Sequence, residues 1–564
     1  MGMSVPGTRA DYLIVGGGSA GCVLASRLSE DPCRRVCLVE AGPDFDAQAR
    51  ADLTDTYGGR AFVDPQYFWP NLRARHAQGG DDAAYKQGML LGGGSSINGQ
   101  IALRGAPADY EHWHESGAAG WNWTAVLPYF RKLETDLDFG GDLHGTTGPI
   151  AIKRTHSATW DSVTAAYARA WSRLGFAHIP DLNGEFGDGY GPLPFSNDGT
   201  TRHSASRAYL GADVRARANL AILTQTRVLR VVTENGRAVG VEAMRDGEPV
   251  RLDAERVILA AGALRTPQIL MLSGIGDGNA LGRHGIATIA HRPGVGKNLQ
   301  DHPIVSISAY TEPTGRTVPP SRAVTAYLRY SSQVAGCEPS DMVLSGGARA
   351  MWHAVGARIC ALRAYIALPY SRGSVALRSG DPHVAPAIDF NGMSDPRDVR
   401  RIVGGFRLVA TVLSDHLRPE TVSDVFPARL SQRIEGLSRP ILRNELLSRI
   451  GALAMDSSKP LRRFLIRRVI TNGESLTDIL QNDRTIEDYV RSTLGTSWHA
   501  SGTCRMGARN DDASVVDSSG AVIGARNLFV ADASIMPRIT RTNTNLPTLM
   551  LAERLADLIP KAAA

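Results

Sequence analysis

An α/β fold is predicted, led by a Rossmann-like parallel sheet and completed by an α+β unit. Three observations carry it. An apolar run at residues 12–15 passes directly into Gly16, Gly18 and Gly21, the spacing G-x-G-x-x-G. Residues 22–28 then show the apolar recurrence of a packed helix. About 20 residues past the glycines, a second apolar run at 36–39 ends in Glu40. Strand, glycine turn, helix, strand and acid in register describe a dinucleotide-binding unit. Gly16 permits the tight turn, Gly18 lets backbone approach a pyrophosphate, and Gly21 brings helix and strand close. The phosphates then sit on the positive end of the helix. Glu40 stands where a ribose hydroxyl needs an acceptor.

The same residues spell a rival, because Gly17-Gly-Ser-Ala-Gly21 is also G-x-S-x-G, a serine-hydrolase nucleophile elbow. That fold needs strands and an oxyanion loop upstream of its serine, and only about ten residues precede this strand. Ser19 reads instead as a small helix-opening residue whose hydroxyl and amide can face phosphate.

At 564 residues and 43% hydrophobic composition, the chain can bury more than one core. Lys and Arg number 62 against 56 acids, and a net +6 over this length gives no reason to expect nucleic-acid binding. The six cysteines are too scattered for a disulfide framework and suit a reducing compartment. Cys33 and Cys37 lack the second pair a metal site would need. Residues 1–10 lack the basic start and apolar core of a signal peptide, and no apolar run approaches a membrane span. A cytoplasmic location is therefore expected.

Further along, residues 41–80 read as irregular, with an aromatic cluster at Tyr67-Phe-Trp-Pro70. The stretch Gly92-Gly-Gly-Ser-Ser-Ile-Asn98 reads as a loop of exposed amides and small hydroxyls, suited to phosphate, ribose or a flat ring. In Glu111-His-Trp-His-Glu115 the histidines are two apart, on different helix faces, so the segment reads as structural rather than metal-binding. Strands are expected at 221–232 and 239–244, with Asp246-Gly247 as a hairpin turn before 250–252. Residues 257–261 form another apolar strand, which Gly262 ends, and Pro267 begins a helix over 268–272. That segment returns the chain to the first unit. Strands are also expected at 361–368 and 374–377. Lys459, Arg463 and Arg467 recur every four residues and read as the solvated face of an ordinary helix rather than a membrane-surface helix. His499 sits beside Trp498 among small residues, and on composition alone such a histidine is more often structural than catalytic. Residues 528–532 are a strand ending in Asp532, and 541–547 open a closing helix over 548–559.

Taken together, the Gly16–Gly21 turn, Glu40, Gly92-Gly-Gly-Ser-Ser-Ile-Asn98, Ala260-Ala-Gly-Ala263 with Thr266-Pro267, Pro293-Gly-Val-Gly-Lys-Asn-Leu299, His499, Asp532-Ala-Ser-Ile-Met-Pro537 and Asn543 resemble the glucose–methanol–choline (GMC) oxidoreductase family. The likeness runs nearly end to end and in order. Within the family it leans toward the bacterial aryl-alcohol and 5-(hydroxymethyl)furfural oxidases, through Tyr67-Phe-Trp-Pro-Asn71, Trp498-His-Ala-Ser-Gly-Thr503 and the segment from Asn543 to Glu553.

The resemblance implies FAD, with Gly16, Gly18, Ser19, Ala20, Gly21, Glu40 and Ala41 holding its ADP half. Trp69, Leu90, Gly93, Ser95, Ser96, Asn98 and Gly99 would lie along the pyrophosphate and flavin, and Val228 by the adenine. Asp532 and Ala533 would take the ribityl and phosphate part, with Ala261, Trp498 and Thr544 completing the set. His499 and Asn543 match the family's active-site pair. Members that attach flavin covalently have histidine after the second serine; here Ile97 stands there, so non-covalent FAD is expected. The implied reaction oxidises a primary, benzylic or furanic alcohol to the aldehyde, with O2 as acceptor and H2O2 as product, and an aldehyde hydrate could react again. His499 would accept the hydroxyl proton, and Asn543 would hold the substrate oxygen. The FAD-binding domain is expected from residues 10–155, 215–305 and 490–564. A substrate domain built on an antiparallel sheet would take 156–214 and 306–489. A dehydrogenase passing electrons to a quinone or other carrier, and a hydroxynitrile lyase on the same fold, are the alternatives.

Overall fold

A computed structural model describes residues 9–45, 50–56, 59–316, 324–417, 419, 421–428, 436–471 and 473–562. Residues 1–8, most of the stretch read for a signal peptide, lie outside the described residues.

The strand Ala10–Val15 is the centre of the first sheet. It pairs in parallel with Val36–Val39 on one side (Tyr12 opposite Val36) and with the end of Glu248–Leu259 on the other (Val15 opposite Leu259). Leu220–Leu223 extends the sheet beyond Val36–Val39, and Leu528–Val530 adds to the opposite side, both parallel. Helix Ser19–Leu28 and the carboxy-terminal helix Asn545–Leu558 pack on each other, and Leu24, Leu28, Leu549 and Leu551 are in the same core as the strands. With helices over the sheet, residues 12–15 and 257–259 are apolar without alternation, as doubly covered strands are.

Two expected strands, 250–252 and 257–261, are one. The strand Glu248–Leu259 pairs antiparallel with Arg237–Arg245 through its first half and joins Ala10–Val15 through its second. Its burial records the change of partner: Leu252 and Ala254 are buried between exposed Arg251, Asp253 and Glu255, and then Val257, Ile258 and Leu259 are all buried. The hairpin falls where expected, with Asp246 and Gly247 at φ +52° and +83°, the left-handed pair that a tight two-residue hairpin uses.

The helix expected to begin at Pro267 begins at Gly262 and contains the proline. Two partners make this possible. The Gly262 amide donates to Asp532 Oδ2 (2.9 Å). Pro267 has no N–H for the Ala263 carbonyl one turn back, and Thr503 Oγ1 donates to that carbonyl instead (2.6 Å). The glycine loop at 92–98 likewise closes into one helical turn, Gly94–Ile97. Within the segment read as irregular, Arg73–Ala77 is a strand, paired with Asp82–Ala84 and Ala387–Gly392.

A second sheet is antiparallel, in the spatial order Val422–Pro427, Pro303–Thr311, Ile359–Ile366, Met342–Gly347, Ala326–Tyr330, Gly189–Pro192. Helices Ser162–Arg173 and Pro396–Thr411 cover it around Trp171, Leu362 and Phe406. Gly495–Thr496 pairs antiparallel with the start of Pro303–Thr311, so the chain entering the His499 segment is fastened to this sheet. Among the described residues no helix is long and apolar enough to cross a membrane.

Replacing Thr503 by valine keeps the shape and removes the donor to the Ala263 carbonyl. The expected cost is about 1–3 kcal/mol of unfolding free energy, read as a lowered denaturation midpoint. An unchanged midpoint would show that water or a local shift satisfies that carbonyl.

Candidate active site

Local sequence places the glycine turn at the carboxy end of the central strand, where a doubly wound sheet opens a crevice. Gly16 has φ +104°, and a Cβ on Gly21 would stand 1.9 Å from the Gly16 carbonyl oxygen. Strand and helix meet there backbone to backbone. A Cβ on Gly93 would come within 2.8 Å of the Gly18 Cα, and the Gly92 amide donates to the Gly17 carbonyl (2.7 Å), so the second glycine segment lies on the first. Around Gly18 and Gly94 themselves no protein atom lies within 4 Å of an added Cβ. The fold alone does not ask for glycine at these two positions, whereas a diphosphate on the helix end does.

Glu40 is buried, and its two oxygens accept from the Gly17 amide (2.8 Å) and the Gly42 amide (2.7 Å). Burial pushes its carboxyl up, against those amides. It ties the glycine turn to the next loop, and the remaining lone pairs can serve a ribose. The Ser19 hydroxyl donates to Asn545 Oδ1 (2.8 Å), which joins the helix to Asn545–Leu558. A nucleophile elbow needs a histidine at that hydroxyl; Ser19 has an asparagine. The hydroxyls expected to be exposed at 95 and 96 point inward. Ser95 Oγ donates to the Gly92 carbonyl (2.6 Å) and accepts from the Ala205 amide (2.9 Å), and Ser96 Oγ donates to the Leu91 carbonyl (3.0 Å). Asn98 Oδ1 accepts from Arg202 (3.0 Å) and from the Gln100 amide (2.9 Å). These side chains shape the turn, which leaves its backbone to face a ligand. Leu90 and Ile97 are buried with Tyr67 and Phe68 beneath it.

Asp532 accepts from Gly262, from Thr266 Oγ1 (2.6 Å) and, through Oδ1, from the Ser534 amide (2.8 Å). It therefore holds Ala261 and the 532–534 turn together at the end of the sheet, and the Ala533 carbonyl accepts from Gly502 (3.0 Å). Trp69 has two guanidinium groups on its ring, Arg265 at 4.3 Å and Arg227 at 5.4 Å, the latter beside Val228. Burial, with Arg227 nearby, pushes Arg265 down to about 10. Neither arginine was singled out from sequence, since a lone Arg has no spacing signal.

The His499 and Asn543 side chains, 44 residues apart, are in contact: Asn543 Nδ2 lies 3.0 Å from His499 Nε2. His499 Nδ1 lies 2.8 Å from His302 Nδ1, and His302 Nε2 lies 3.0 Å from the Thr540 carbonyl. These three contacts fix the protons. A carbonyl only accepts, so His302 Nε2 carries hydrogen. Burial pushes His302 down to about 4, so the ring is neutral and its Nδ1 accepts. His499 Nδ1 then carries the hydrogen between the two rings, and His499 Nε2 keeps a lone pair, which Asn543 meets with its NH2. Burial and the His302 ring push His499 well below the usual imidazole range. Asn543 Oδ1 is buried with no hydrogen-bond partner among the described residues, an acceptor left open for a donor on a bound molecule. Trp498, at φ +58° and partly exposed, stacks edge-on with Phe62 at 4.7 Å beside this pair. Thr544 stands at the position before helix Asn545–Leu558, without a side-chain hydrogen bond to its first turn, and Asn543 directly precedes it.

Asp301 fastens the assembly. Its Oδ1 accepts from the His302 amide (2.7 Å) and the His499 amide (3.0 Å), and Oδ2 accepts from Thr496 Oγ1. Burial pushes it up to about 6. Sequence reasoning missed both Asp301 and His302. They follow Leu299 after Gln300, but nothing local connects them with a histidine 197 residues later.

Elsewhere Glu134, Asp136 and His144 lie close enough for a metal. Arg154 Nη1 meets Asp136 at 2.8 Å, Arg104 pairs with Glu134, and His144 Nε2 meets Asp181 at 2.7 Å. Burial lowers the His144 pKa, but bonds to Asp136, Asp181 and Glu134 outweigh it and hold the ring near about 10. The cluster is already neutralised by its own cations, an ionic rivet rather than a metal centre. In the 111–115 segment Glu111 accepts from the Trp123 amide and Trp113 donates to the Arg538 carbonyl.

The description "GMC oxidoreductase" belongs to the family profiles that match residues 10–304 and 369–552. A 5-(hydroxymethyl)furfural oxidase of Methylovorus sp. (strain MP688) is 40% identical, covering 97% of this chain and 98% of its own. An alcohol dehydrogenase [acceptor] of Pseudomonas putida is 33% identical over 97% of this chain and 95% of its own. Among solved structures, pyridoxine 4-oxidase from Mesorbium loti superposes with TM-score 0.79 at 27% identity, covering 99% of this chain and 100% of that one.

His302→Leu removes the acceptor that sets the His499 tautomer. The turnover rate should fall by roughly 10²–10⁴ while KM and cofactor content change little, and His302→Gln, which offers an amide oxygen, should recover part of it. Equal loss in both variants would make His302 a packing residue only. The stability effects of the neighbours have opposite signs. His302 stabilises above the ordinary 6.5, and this is lost as pH falls through about 4, whereas Asp301 stabilises fully below 3.8, and this is lost as pH rises through about 6. The two offset in between, so Asp301→Asn should steepen the fall of Tm on acidification from about pH 6 to 4.

Proposed function

As a member of the GMC oxidoreductase family, the chain is an FAD-dependent oxidoreductase acting on alcohols, and we propose that it oxidises primary benzylic or furanic alcohols to aldehydes with O2 as acceptor. One observation carries the reading: a neutral imidazole whose Nε2 lone pair meets the Asn543 NH2 at 3.0 Å, a contact that a substrate hydroxyl can take over by donating to the one and accepting from the other. The end-to-end likeness to the Methylovorus oxidase supports the substrate class and the acceptor.

The residues fit the cofactor. Gly16, Gly18, Ser19, Ala20 and Gly21 would hold its pyrophosphate, with Glu40 and Ala41 at the ribose and Val228 at the adenine. Trp69, Leu90, Gly93, Ser95, Ser96, Asn98 and Gly99 would line its length, with Ala261, Trp498, Asp532, Ala533 and Thr544 toward the flavin end. When bound, FAD supplies the acceptor for the substrate's α-hydrogen and hands the electrons on. Ile97 is buried among apolar side chains where a linking histidine would be needed, which supports non-covalent FAD. The unit holding it comprises residues 10–155, 215–305 and 490–564, and the unit over the substrate 156–214 and 306–489.

The chain's own part is positional and acid–base. A substrate hydroxyl entering between His499 Nε2 and Asn543 replaces their mutual hydrogen bond. Its proton goes to Nε2, and its oxygen accepts from the Asn543 NH2, which fixes the α-carbon. The low basicity of His499 keeps it unprotonated and ready at neutral pH, at the cost of proton-transfer driving force. The proton taken up is spread over the imidazole facing His302, whose lone pair accepts from Nδ1–H throughout. H2O2 is the product expected with O2. The Pseudomonas relative, named for another acceptor, supports the second reading, a dehydrogenase that reacts slowly with air.

Anaerobic addition of a benzylic or furanic alcohol should bleach the flavin absorbance, and air should restore it quickly with peroxide. Slow recovery would select the dehydrogenase, and a yellow protein that never bleaches would remove alcohol oxidation. Acid precipitation should leave the flavin in the supernatant; yellow pellets would mean a covalent link. His499→Ala should cost roughly 10²–10⁴ in the rate of bleaching with flavin retained. The acid limb of kcat/KM should lie below the usual imidazole value of about 6.5, and a limb above about 7 would put another group in control.

A further inference from the structure

Of the twelve large apolar side chains exposed among the described residues, eight lie between Ile441 and Phe464. Helix Leu442–Ser457 buries Asn444, Ser448, Ala452 and Met455 against the molecule. At 100° per residue, Leu442, Leu446, Ile450 and Leu453 form a stripe centred on the opposite side, exposed by 86%, 61%, 57% and 67%. Arg443 and Arg449 flank the stripe on its two sides, both exposed. The next helix, Lys459–Leu465, packs on this one and leaves Leu461 and Phe464 exposed between Lys459 and Arg463, and a π-helical turn adds exposed Arg467 and Arg468.

The charge is concentrated here as well. Residues 439–470 carry eight Lys and Arg against two acids; Arg462 and Arg463 pair with Asp424 at 2.6 and 2.8 Å, and Arg439, Arg443, Lys459, Arg467 and Arg468 stand exposed outside these pairs. Both acids are engaged, Glu445 by Arg449 at 2.8 Å and Asp456 by Arg316 at 2.6 Å. A second copy meeting this face would bring arginines toward arginines, with no unpaired carboxylate among the described residues of helix pair 442–470 to receive them. An anionic lipid surface supplies both needs, acyl chains for the leucines and phosphate for the rims.

We propose that the helix pair 442–470 is a docking surface for an anionic phospholipid membrane, with the leucine stripe entering the headgroup boundary and the flanking arginines on lipid phosphate. The expected solvated face is thus only the basic part of a larger amphipathic surface. The protein lies on the membrane by this face and does not span it.

The test is flotation of the holoenzyme with vesicles of phosphatidylcholine alone and with about one third phosphatidylglycerol. The holoenzyme should rise with the anionic vesicles and stay behind with the neutral ones. Leu446→Gln/Leu453→Gln, and separately Arg443→Gln/Arg467→Gln/Arg468→Gln, should each lower the bound fraction about tenfold or more. Turnover of a small alcohol in solution should stay as in the parent, which shows both variants folded. Absence of binding to either vesicle would overturn the proposal, as would equal binding to both. So would a concentration-dependent dimer in sedimentation velocity that Leu446→Gln/Leu453→Gln abolishes, because a second copy would then cover the stripe.

Discussion

The strand Ala10–Val15 cannot stand alone. Both of its edges carry backbone amides and carbonyls, and in a buried position each unpaired group costs about as much as a lost hydrogen bond. Its partners come from residues 36–39 and from 254–259, more than 200 residues later. That obligation brings the chain back. Once Glu248–Leu259 lies beside the first strand, Gly16 stands against Ala260, helix Gly262–Leu272 starts beside the glycine turn, and Leu528–Val530 can pair on the outside. Asp532, at the end of that last strand, then receives the Gly262 amide. The crevice at the carboxy end of the sheet is a consequence of satisfying one strand.

The reacting centre depends on a shorter chain of the same reasoning. The Thr540 carbonyl, which can only accept, orients His302; His302 orients His499; and His499 then presents the nitrogen that faces Asn543. No charged group drives this sequence. Histidines that lean on carboxylates gain basicity, whereas His499 leans on another imidazole and on burial, and both lower it. The nearby carboxylate, Asp301, spends its oxygens on backbone amides and on Thr496. It positions the two histidine backbones and leaves their side chains neutral. A neutral imidazole suits the proposed role of His499 as base toward an alcohol held beside the flavin.

The positive charge of the chain has two uses that its total does not separate. Inside, Arg104, Arg154 and Arg401 neutralise buried carboxylates. Outside, the excess gathers on one helix pair beside leucines that none of the described residues covers. Buried pairs cancel in the sum, so the surplus is left on the surface where it can act at range.

The sequence by itself determined the parallel βαβ unit, the family and the glycine turn, and through the family resemblance it pointed to the pair His499 and Asn543. Continuous apolar strands, a fixed glycine spacing and motifs in order are local signals, and local chemistry carries them. Tertiary structure decided what depended on distant partners. Thr503 supplies the hydrogen bond that Pro267 cannot make, so the helix starts five residues before the proline. Ser95 and Ser96 turn inward because the Gly92 and Leu91 carbonyls are within reach. His302 and Asp301 entered the site only when residues 303–304 paired with 495–496. Nothing in one dimension marks the leucines of 442–453 as exposed; only the packed molecule shows that the face turned inward is Asn444, Ser448, Ala452 and Met455. A period of 3.6 residues marks a face, and the neighbours it meets determine whether that face is core or surface.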